Sequence, residues 1–294
     1  MKIIFIGCAK SSFVLLRQCF KMNLNIIGIC TKNKSWNNDF VDLKKKFQLK
    51  KIDTIYSKNI NSQKTLDWFK KKKPDLIFCF GWSEILKKKI INISKYGVIG
   101  FHPTNLPENR GRHPIIWSIA LGLRSTASTY FKITNEKVDT GPIISQKKIT
   151  ISKNENSNSL YNKILKNAKI QIKNIVKTVV DKKKIPNKKI KSNSWRKRSF
   201  EDGRIDWRMP AENIDNLVRS LQKPYDYAHF VYNNNIIKVF KTKVININKL
   251  NKNNFEPGKI LKFNKSFFDV KCGIGIIRVI KTSKKLNLNK AKYL

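Results

Sequence analysis

The chain has 294 residues, which is long enough for one large or two modest domains, and we expect two. Its formal net charge is +43, with 62 Lys and Arg residues against 19 Asp and Glu residues. No apolar run approaches the roughly 18 residues that a membrane span needs, and the apolar block in MKIIFIGCA is too short for a signal peptide. The five Cys residues form no CxxC pair, which favours reduced thiols in a cytoplasmic protein.

The positive charge raises the question of nucleic-acid binding, because Lys and Arg neutralise phosphates. The basic residues are mostly Lys, and they are spread over the chain in runs such as 44–46, 70–73 and 182–184. A nucleic-acid face more often concentrates Arg and interleaves aromatic side chains. We therefore interpret the charge as a compositional bias carried on a solvated surface.

The first part of the chain alternates between strand and helix patterns. Strands are predicted at 2–6, 25–31, 52–56 and 75–80, and helices at 11–22 and 62–72. This alternation is typical of an α/β protein with a doubly wound, mostly parallel sheet. Such sheets bind ligands at the carboxyl ends of their strands, which here are 7–11, 81–84 and His102. The first strand is followed by GCAKSS, without GxGxxG or GxxxxGK[ST], so dinucleotide and Walker-type sites have weak support.

Further along, a helix is predicted at 113–121 and two strands at 125–134 and 143–151, which pair around the turn VDTGP. A long amphipathic helix is predicted at 159–181. The polar, Lys-rich stretch around 181–199 indicates a linker. After it come a helix at 211–221 and short alternating strands typical of a small β-barrel. We expect one domain at 1–190 and a second at 191–294.

The most informative stretch is FHPTNLPENRGRHPIIW, which contains His102, followed by VDTGPIISQ, which contains Asp139. Pro and Gly restrict or extend the backbone conformations of a loop, and its Arg residues crowd like charge together. A loop of this composition around a single His is typical of a binding site.

These two segments resemble the folate-dependent formyltransferases, whose signature is a His, then SLLP, then RG, then a downstream Asp-x-Gly. The RGRHPIIW segment is most similar to the branch that N-formylates nucleotide-linked amino sugars, and less similar to the methionyl-tRNA formyltransferases, which more often have RGAAP. The resemblance continues through WRKRSFEDGRIDWRMPAENIDNLVRSLQKPYDYAHF to PGKIL and DVKCGIGIIRVIK. It implies a Rossmann-like formyltransferase domain followed by an OB-like C-terminal barrel.

The resemblance also implies the chemistry. N10-formyltetrahydrofolate would be the co-substrate, a nucleotide-linked amino sugar the acceptor, and no metal would be needed. His102 would act as the general acid and base, and Asp139 would pair with it and hold its orientation. Such an enzyme would serve cell-surface polysaccharide biosynthesis, and the C-terminal barrel is a candidate interface for a homodimer.

One position departs from the family. Most members have an Asn two residues before the catalytic His, which donates to the developing oxyanion, and this chain has Gly100 there. Three replacements stay open: a backbone N–H made accessible by Gly100, protonated His102, and the side-chain amide of Asn105.

Other residues are assigned to ligands by the same resemblance. Those expected to line the pterin pocket are Gly81, Trp82, Ser83, Arg112, Asn135, Glu136, Lys137, Val138 and Asp139. Arg110 is expected to bind the diphosphate of the acceptor, with a salt bridge inside its own loop as the alternative.

Two other functions stay open. The first is formylation of methionyl-tRNA, because a basic surface would suit binding to the phosphates of tRNA. The segment RGRHPIIW in place of RGAAP argues against this. The second is a degenerate binding module without activity, which the chain would be if Gly100 marks decay, although the retention of His102 and Asp139 argues against that.

Overall fold

The computed structural model describes residues 1–35, 38–48, 52–181, 192–245, 254–288 and 291–294. The chain divides into two compact units. Unit 1 comprises Met1–Pro114, Ser125–Thr150 and Asn162–Arg196, and unit 2 comprises Ile115–Arg124, Ile151–Tyr161 and Lys197–Leu294. Residues 182–191 of the predicted linker lie outside the described residues.

Unit 1 is built on a sheet of seven strands within its described residues. The strands of the unit are β1 (Ile3–Ile6), β2 (Ile26–Thr31), β3 (Thr54–Tyr56), β4 (Leu76–Phe80), β5 (Val98–His102), β6 (Arg110–Gly111), β7 (Ser125–Ile133), β8 (Ile143–Thr150) and β9 (Ser194–Trp195). The sheet has the order β3-β2-β1-β4-β5-β7-β8. The first five of these strands are parallel, and β7 and β8 add to the sheet as an antiparallel hairpin.

The longer helices follow the apolar periodicity of the sequence. The α-helices are α1 (Lys10–Lys21), α2 (Leu43–Phe47), α3 (Gln63–Lys72), α4 (Lys88–Ile91), α5 (Pro114–Ala120), α6 (Ser157–Val180) and α7 (Ala211–Ser220). Two of them, α2 and α4, are too short to show such a periodicity. Helix α3 shows how local chemistry sets the ends. Ser62 caps its N-terminus by accepting a hydrogen bond from the Thr65 amide, and Lys73 ends it in the left-handed conformation with φ of 45°. None of the helices in the described part of the chain is long and apolar enough to cross a membrane.

Helix α6 packs its apolar face on the sheet of unit 1. Ala168, Ile172 and Ile175 are buried in the same cluster as the strand residues. The Tyr130 hydroxyl on β7 donates to the Ala168 carbonyl oxygen at 3.0 Å. The predicted long amphipathic helix is therefore present, and it covers the sheet next to the strands that carry the site.

Unit 2 contains an antiparallel sheet with the order β10-β11-β14-β13-β12. Its strands are β10 (His229–Tyr232), β11 (Asn235–Ile245), β12 (Ile260–Phe263), β13 (Phe268–Lys271) and β14 (Ile276–Thr282). Helix α7 contributes Ile214 and Val218 to the core of this unit, beside Phe230 and Phe268. The predicted fold class is confirmed: a mostly parallel α/β sheet is followed by a small antiparallel, barrel-like domain.

Candidate active site

The carboxyl ends of β1, β4 and β5 lie at one edge of the sheet. The register pairs Ile6 with Cys79 and Phe80 with Phe101, so the three strands end side by side. The Cys8 amide donates to the Gly81 carbonyl oxygen at 3.3 Å, which joins the turns after β1 and β4. His102 is the last residue of β5 and lies at this edge, where the fold was expected to bind its ligand.

The structure brings His102 and Asp139 together. The His102 Nδ1 atom lies 3.4 Å from the Asp139 Oδ2 atom, although 37 residues separate the two in the chain. His102 is only 6% exposed, so solvent screens its contact with the carboxylate weakly. Asp139 has a φ of 52°, a left-handed conformation that Asp tolerates better than most residues.

The loop that contains β6 contacts both members of this pair. The Asn109 carbonyl oxygen lies 3.0 Å from His102 Nε2. Two residues later, the Gly111 amide donates to Asp139 Oδ2, also at 3.0 Å. One short stretch of backbone therefore holds the imidazole on one side and the carboxylate on the other.

A second segment, which the sequence did not predict to be structured, supports that loop. Strand β9 pairs in parallel with β6, and the amides of Arg110 and Arg112 donate to the carbonyl oxygens of Asn193 and Trp195 at 3.1 and 3.0 Å. Gly111 has a φ of 95°, and a Cβ atom there would collide with the Trp195 carbonyl oxygen. Only Gly allows this close approach. The segment falls within the stretch 181–199 that the composition marked as a linker.

Asn105 and Gly100 are two candidate sources of the oxyanion donor, and each is constrained by a neighbour other than His102. The Asn105 side-chain amide donates to Glu108 Oε2 at 3.2 Å, inside its own loop. Gly100 lies opposite Phe131 on β7, and a Cβ atom built on it would lie 2.7 Å from the Phe131 Cζ atom. The buried Phe131 ring thus fills the space that a side chain at position 100 would need.

The loops expected to line the pterin pocket meet in part. The Arg112 Nη1 atom donates to the Ser83 carbonyl oxygen at 3.2 Å, which joins the RGR loop to the turn after β4. Gly81 has a φ of 68°, and a Cβ atom there would lie 2.6 Å from the hydroxyl oxygens of Ser11 and Ser12. The turn therefore packs tightly on the start of α1.

The loop 135–139 is held by its own side chains. Asn135 Oδ1 accepts from the Lys137 amide at 2.8 Å and from the Thr140 hydroxyl at 3.0 Å. Glu136 Oε1 accepts from the Lys88 amide at 3.1 Å, which fixes the loop to the start of α4, whereas Val138 is 44% exposed.

Two buried donors near these loops have no hydrogen-bond partner within the described residues. They are Trp82 Nε1 and Arg110 Nε. Lys32 places its ammonium 5.0 Å from the centre of the Trp82 ring and pairs with Glu84. Arg110 uses its Nη1 atom to donate to the Ser192 hydroxyl at 3.2 Å. Buried donors of this kind are normally satisfied, so each has the capacity to bind an acceptor atom of a ligand.

The cysteine thiols near the site are poor candidates for covalent chemistry. The pKa of the Cys79 thiol is raised to about 12, mainly by burial and to a smaller extent by the nearby Cys8 thiol and Asp139 carboxylate. Burial likewise raises the pKa of Cys8 to about 12. A thiol is nucleophilic only as the thiolate, so these cysteines are poorly suited to act as nucleophiles.

The arrangement defines a class of protein. A mostly parallel α/β sheet presents a buried His beside a carboxylate at its carboxyl edge, and an Arg-containing loop contacts both, as expected for the active site of an α/β enzyme. Comparison with known families makes this specific. The formyl transferase family matches residues 1–176, and the C-terminal domain of formyl transferases matches residues 197–291. The chain therefore belongs to the formyl transferase family, which confirms the resemblance and the expected enzyme class.

Relatives of this chain include proteins named for different activities. The bifunctional polymyxin resistance protein ArnA of Wigglesworthia glossinidia brevipalpis is 34% identical over 275 residues, which cover 90% of this chain and 40% of ArnA. The methionyl-tRNA formyltransferase of Caldanaerobacter subterraneus subsp. tengcongensis is 26% identical and is matched over 95% of this chain and 91% of its own. The crystal structure of WlaRD, a sugar 3N-formyl transferase in the presence of dTDP and 5-N-formyl-THF, superposes with a TM-score of 0.69 at 19% identity, covering 97% of this chain and 99% of WlaRD.

Proposed function

We propose that this protein transfers a formyl group from N10-formyltetrahydrofolate to the primary amine of a nucleotide-linked amino sugar in the cytoplasm. The observation that carries the proposal is the contact of 3.4 Å between His102 and Asp139 at the carboxyl edge of β5. Formyl transfer to an amine needs a group that removes a proton from the attacking nitrogen and returns one to the leaving nitrogen. A buried imidazole beside a carboxylate serves both needs.

The reaction forms a C–N bond between the acceptor amine and the formyl carbon and breaks the C–N10 bond of the donor. His102 accepts the proton that the amine loses and supplies a proton to N10, so tetrahydrofolate leaves as a neutral amine. Asp139 stabilises the imidazolium that exists between these two transfers.

The residues after β4 and around 135–139 fit the donor. We assign the backbone of Gly81, Ser83 and Lys137 to the pterin ring. The Gly81 and Ser83 carbonyl oxygens accept from Cys8 and Arg112, and the Lys137 amide donates to Asn135, so these turns are held in place by the protein itself. The unpartnered Trp82 Nε1 atom is one observation that supports a ligand there, because a buried indole N–H normally donates to an acceptor. The crystal structure of WlaRD in the presence of 5-N-formyl-THF supports a folate as the donor.

The amino-sugar acceptor is favoured by the loop sequence and by the structural likeness to WlaRD, which was crystallised in the presence of dTDP. We assign Arg110 to the diphosphate, since its Nε atom is buried without a partner in the described residues. A guanidinium has the fork geometry that binds phosphate oxygens. Methionyl-tRNA is the second candidate acceptor, favoured by the likeness to the Caldanaerobacter enzyme over 95% of the chain and by the charge of +43.

The oxyanion donor is assigned to the backbone beside Gly100, to protonated His102 or to Asn105. The Asn105 amide would have to leave Glu108 Oε2 to reach the site, and the Gly100 backbone lies within β5, which pairs with β4 on one side and β7 on the other. We also propose one domain at 1–190 and another at 191–294, with Asn193–Trp195 of the boundary region held against β6 of the first. We further propose a homodimer formed through the second domain and a place in cell-surface polysaccharide biosynthesis.

The test measures release of tetrahydrofolate from N10-formyltetrahydrofolate in the presence of thymidine-, uridine- and guanosine-diphosphate amino sugars or methionyl-tRNA. We expect release with one nucleotide-linked amino sugar and a formylated amine in the product by mass spectrometry. Release with methionyl-tRNA alone would overturn the sugar assignment. If no acceptor is formylated, and His102→Ala binds the donor as the unmodified protein does, the chain is a binding module without activity.

A further inference from the structure

Both ring nitrogens of His102 face oxygen atoms. Nε2 lies 3.0 Å from the Asn109 carbonyl oxygen, and Nδ1 lies 3.4 Å from Asp139 Oδ2. A carbonyl oxygen and a carboxylate oxygen only accept hydrogen bonds, whereas a neutral imidazole has a single N–H to donate. In its neutral form, His102 therefore makes one of these two hydrogen bonds and not both.

The distances favour the hydrogen bond to Asn109. A separation of 3.0 Å is that of an ordinary N–H···O hydrogen bond, whereas 3.4 Å exceeds the roughly 2.7–2.9 Å of a charge-assisted one. Asp139 Oδ2 already accepts the Gly111 amide at 3.0 Å. The neutral ring thus has its proton on Nε2, and the lone pair on Nδ1 is the site that takes up a proton next to the carboxylate.

The position of the Asn109 carbonyl depends on Asn193. The Asn109 amide donates to Asn193 Oδ1 at 2.7 Å, and Asn193 Nδ2 donates to Asn109 Oδ1 at 3.0 Å. One side-chain amide therefore contacts both the backbone and the side chain of Asn109. It holds Asn109 in the left-handed conformation, with φ of 59°, that turns its carbonyl toward the imidazole.

We propose that Asn193, acting through Asn109, is a positioning residue that keeps the neutral His102 ring in its Nε2–H tautomer and makes Nδ1 the nitrogen that exchanges protons in the reaction. The inference rests on the proposed role of His102 in formyl transfer. The tautomer itself is a property of the free protein, and it is measured without any substrate.

The test is ¹⁵N NMR of the imidazole rings in histidine-labelled full-length protein. Two-bond proton–nitrogen correlations distinguish the Nε2–H from the Nδ1–H tautomer, and the chain has three His residues, so His102→Ala assigns the signal. Spectra are recorded at a pH high enough that the ring shifts no longer change. We expect the Nε2–H pattern in the unmodified protein and averaged nitrogen shifts, which report mixed tautomers, in Asn193→Ala.

Two further variants complete the test. Asn193→Asp keeps an acceptor for the Asn109 amide but removes the donor to the Asn109 side chain. We therefore expect a smaller change in the His102 nitrogen shifts than in Asn193→Ala. If Asn193→Ala does not fold, the result for Asn193→Asp decides the test. Asn264→Ala is the matched control, because Asn264 also holds a turn by accepting two backbone amides, from Ser266 and Phe267, but lies in unit 2. We expect the His102 shifts to be unchanged in it.

The outcomes are separable from those of the functional assay. An Nδ1–H pattern in the unmodified protein, or an Nε2–H pattern that persists in the folded Asn193 variants, overturns the inference whatever the activity. Once the functional assay has identified the formyl acceptor, we expect kcat of Asn193→Ala to fall on the order of 10²-fold, with little change in the KM for the formyl donor. Absence of formyl transfer with the expected NMR pattern would leave the positioning intact and reject the proposed function.

Discussion

Replacing Gly100 with Asn puts back the residue that most family members have before the catalytic His, and we predict that it damages the fold instead of improving the enzyme. A Cβ atom at position 100 lies 2.7 and 2.8 Å from two ring carbons of Phe131 and 3.2 Å from the Ile133 Cδ1 atom. Phe131 is only 4% exposed and packs against Leu106 and Ile143, so its ring has little room to move.

The expected magnitude follows from overpacking. Extra atoms forced into a close-packed core cost about 1–3 kcal/mol. We expect this loss for Gly100→Ala, which adds the Cβ alone, and at least as much for Gly100→Asn. Shortening the ring with Phe131→Leu removes the obstruction. The double variant Gly100→Ala/Phe131→Leu should therefore lose less than the sum of the single losses, by about 0.5–3 kcal/mol.

The assay is urea unfolding of the four proteins of this cycle, read from the transition in which unit 1 unfolds. A loss of 1–3 kcal/mol lowers the midpoint by on the order of 0.3–1 M urea. Either a Gly100→Ala variant within about 0.5 kcal/mol of the unmodified protein, or strictly additive losses, would refute the argument. In the enzyme assay, Gly100→Asn should not gain the roughly 10²–10³-fold in kcat that an oxyanion donor supplies.

Further predictions concern single groups. His102→Ala should lower kcat by about 10²–10⁴-fold, and Asp139→Asn, which keeps the shape and removes the charge, should lower it less; steady-state kinetics decide. Burial raises the pKa of all five thiols, so a thiol reagent at pH 8 should label none of them until urea is added, and labelling of the native protein would contradict this. The side-chain hydrogen bond from Arg208 lowers the pKa of Asp206 to about 2. The contribution of this pair to folding stability is complete above the pKa that Asp206 has in the unfolded chain, and it is lost as the pH falls toward 2. Arg208→Ala should raise the pKa of Asp206 in the folded protein in a carboxyl NMR titration.

The elements with a long periodic pattern were predictable from the sequence. The continuous apolar runs IIFI and LIFCF are β1 and β4, which are fully buried, and the helix predicted at 159–181 is α6 at Ser157–Val180. Some short elements were not predictable, although β3, with three residues, lies within a predicted strand. Helix α4 has four residues, and β6 and β9 have two each, so none of them completes a period that a sequence pattern could reveal.

The site was predictable only where its residues fall in a local motif. His102 and Asp139 each stand in a recognisable segment, and the structure brings them together. Asn193 contacts Asn109 across 84 residues, and an Asn in a Lys-rich stretch has no pattern that marks it. The obstruction of Gly100 by Phe131 depends on the antiparallel register of β5 and β7, which no single segment determines.

The pairing of β6 with β9 has a consequence for the choice of truncated fragments of this chain. The family match for the first domain ends at residue 176, and a fragment ending there would appear complete by that measure. It would lack Ser194 and Trp195, which pair with Arg110 and Gly111, and Asn193, which contacts Asn109. During synthesis, likewise, the loop around His102 gains these partners only after residue 195 has left the ribosome. A workable catalytic fragment should therefore extend at least to Arg196, where the first compact unit ends.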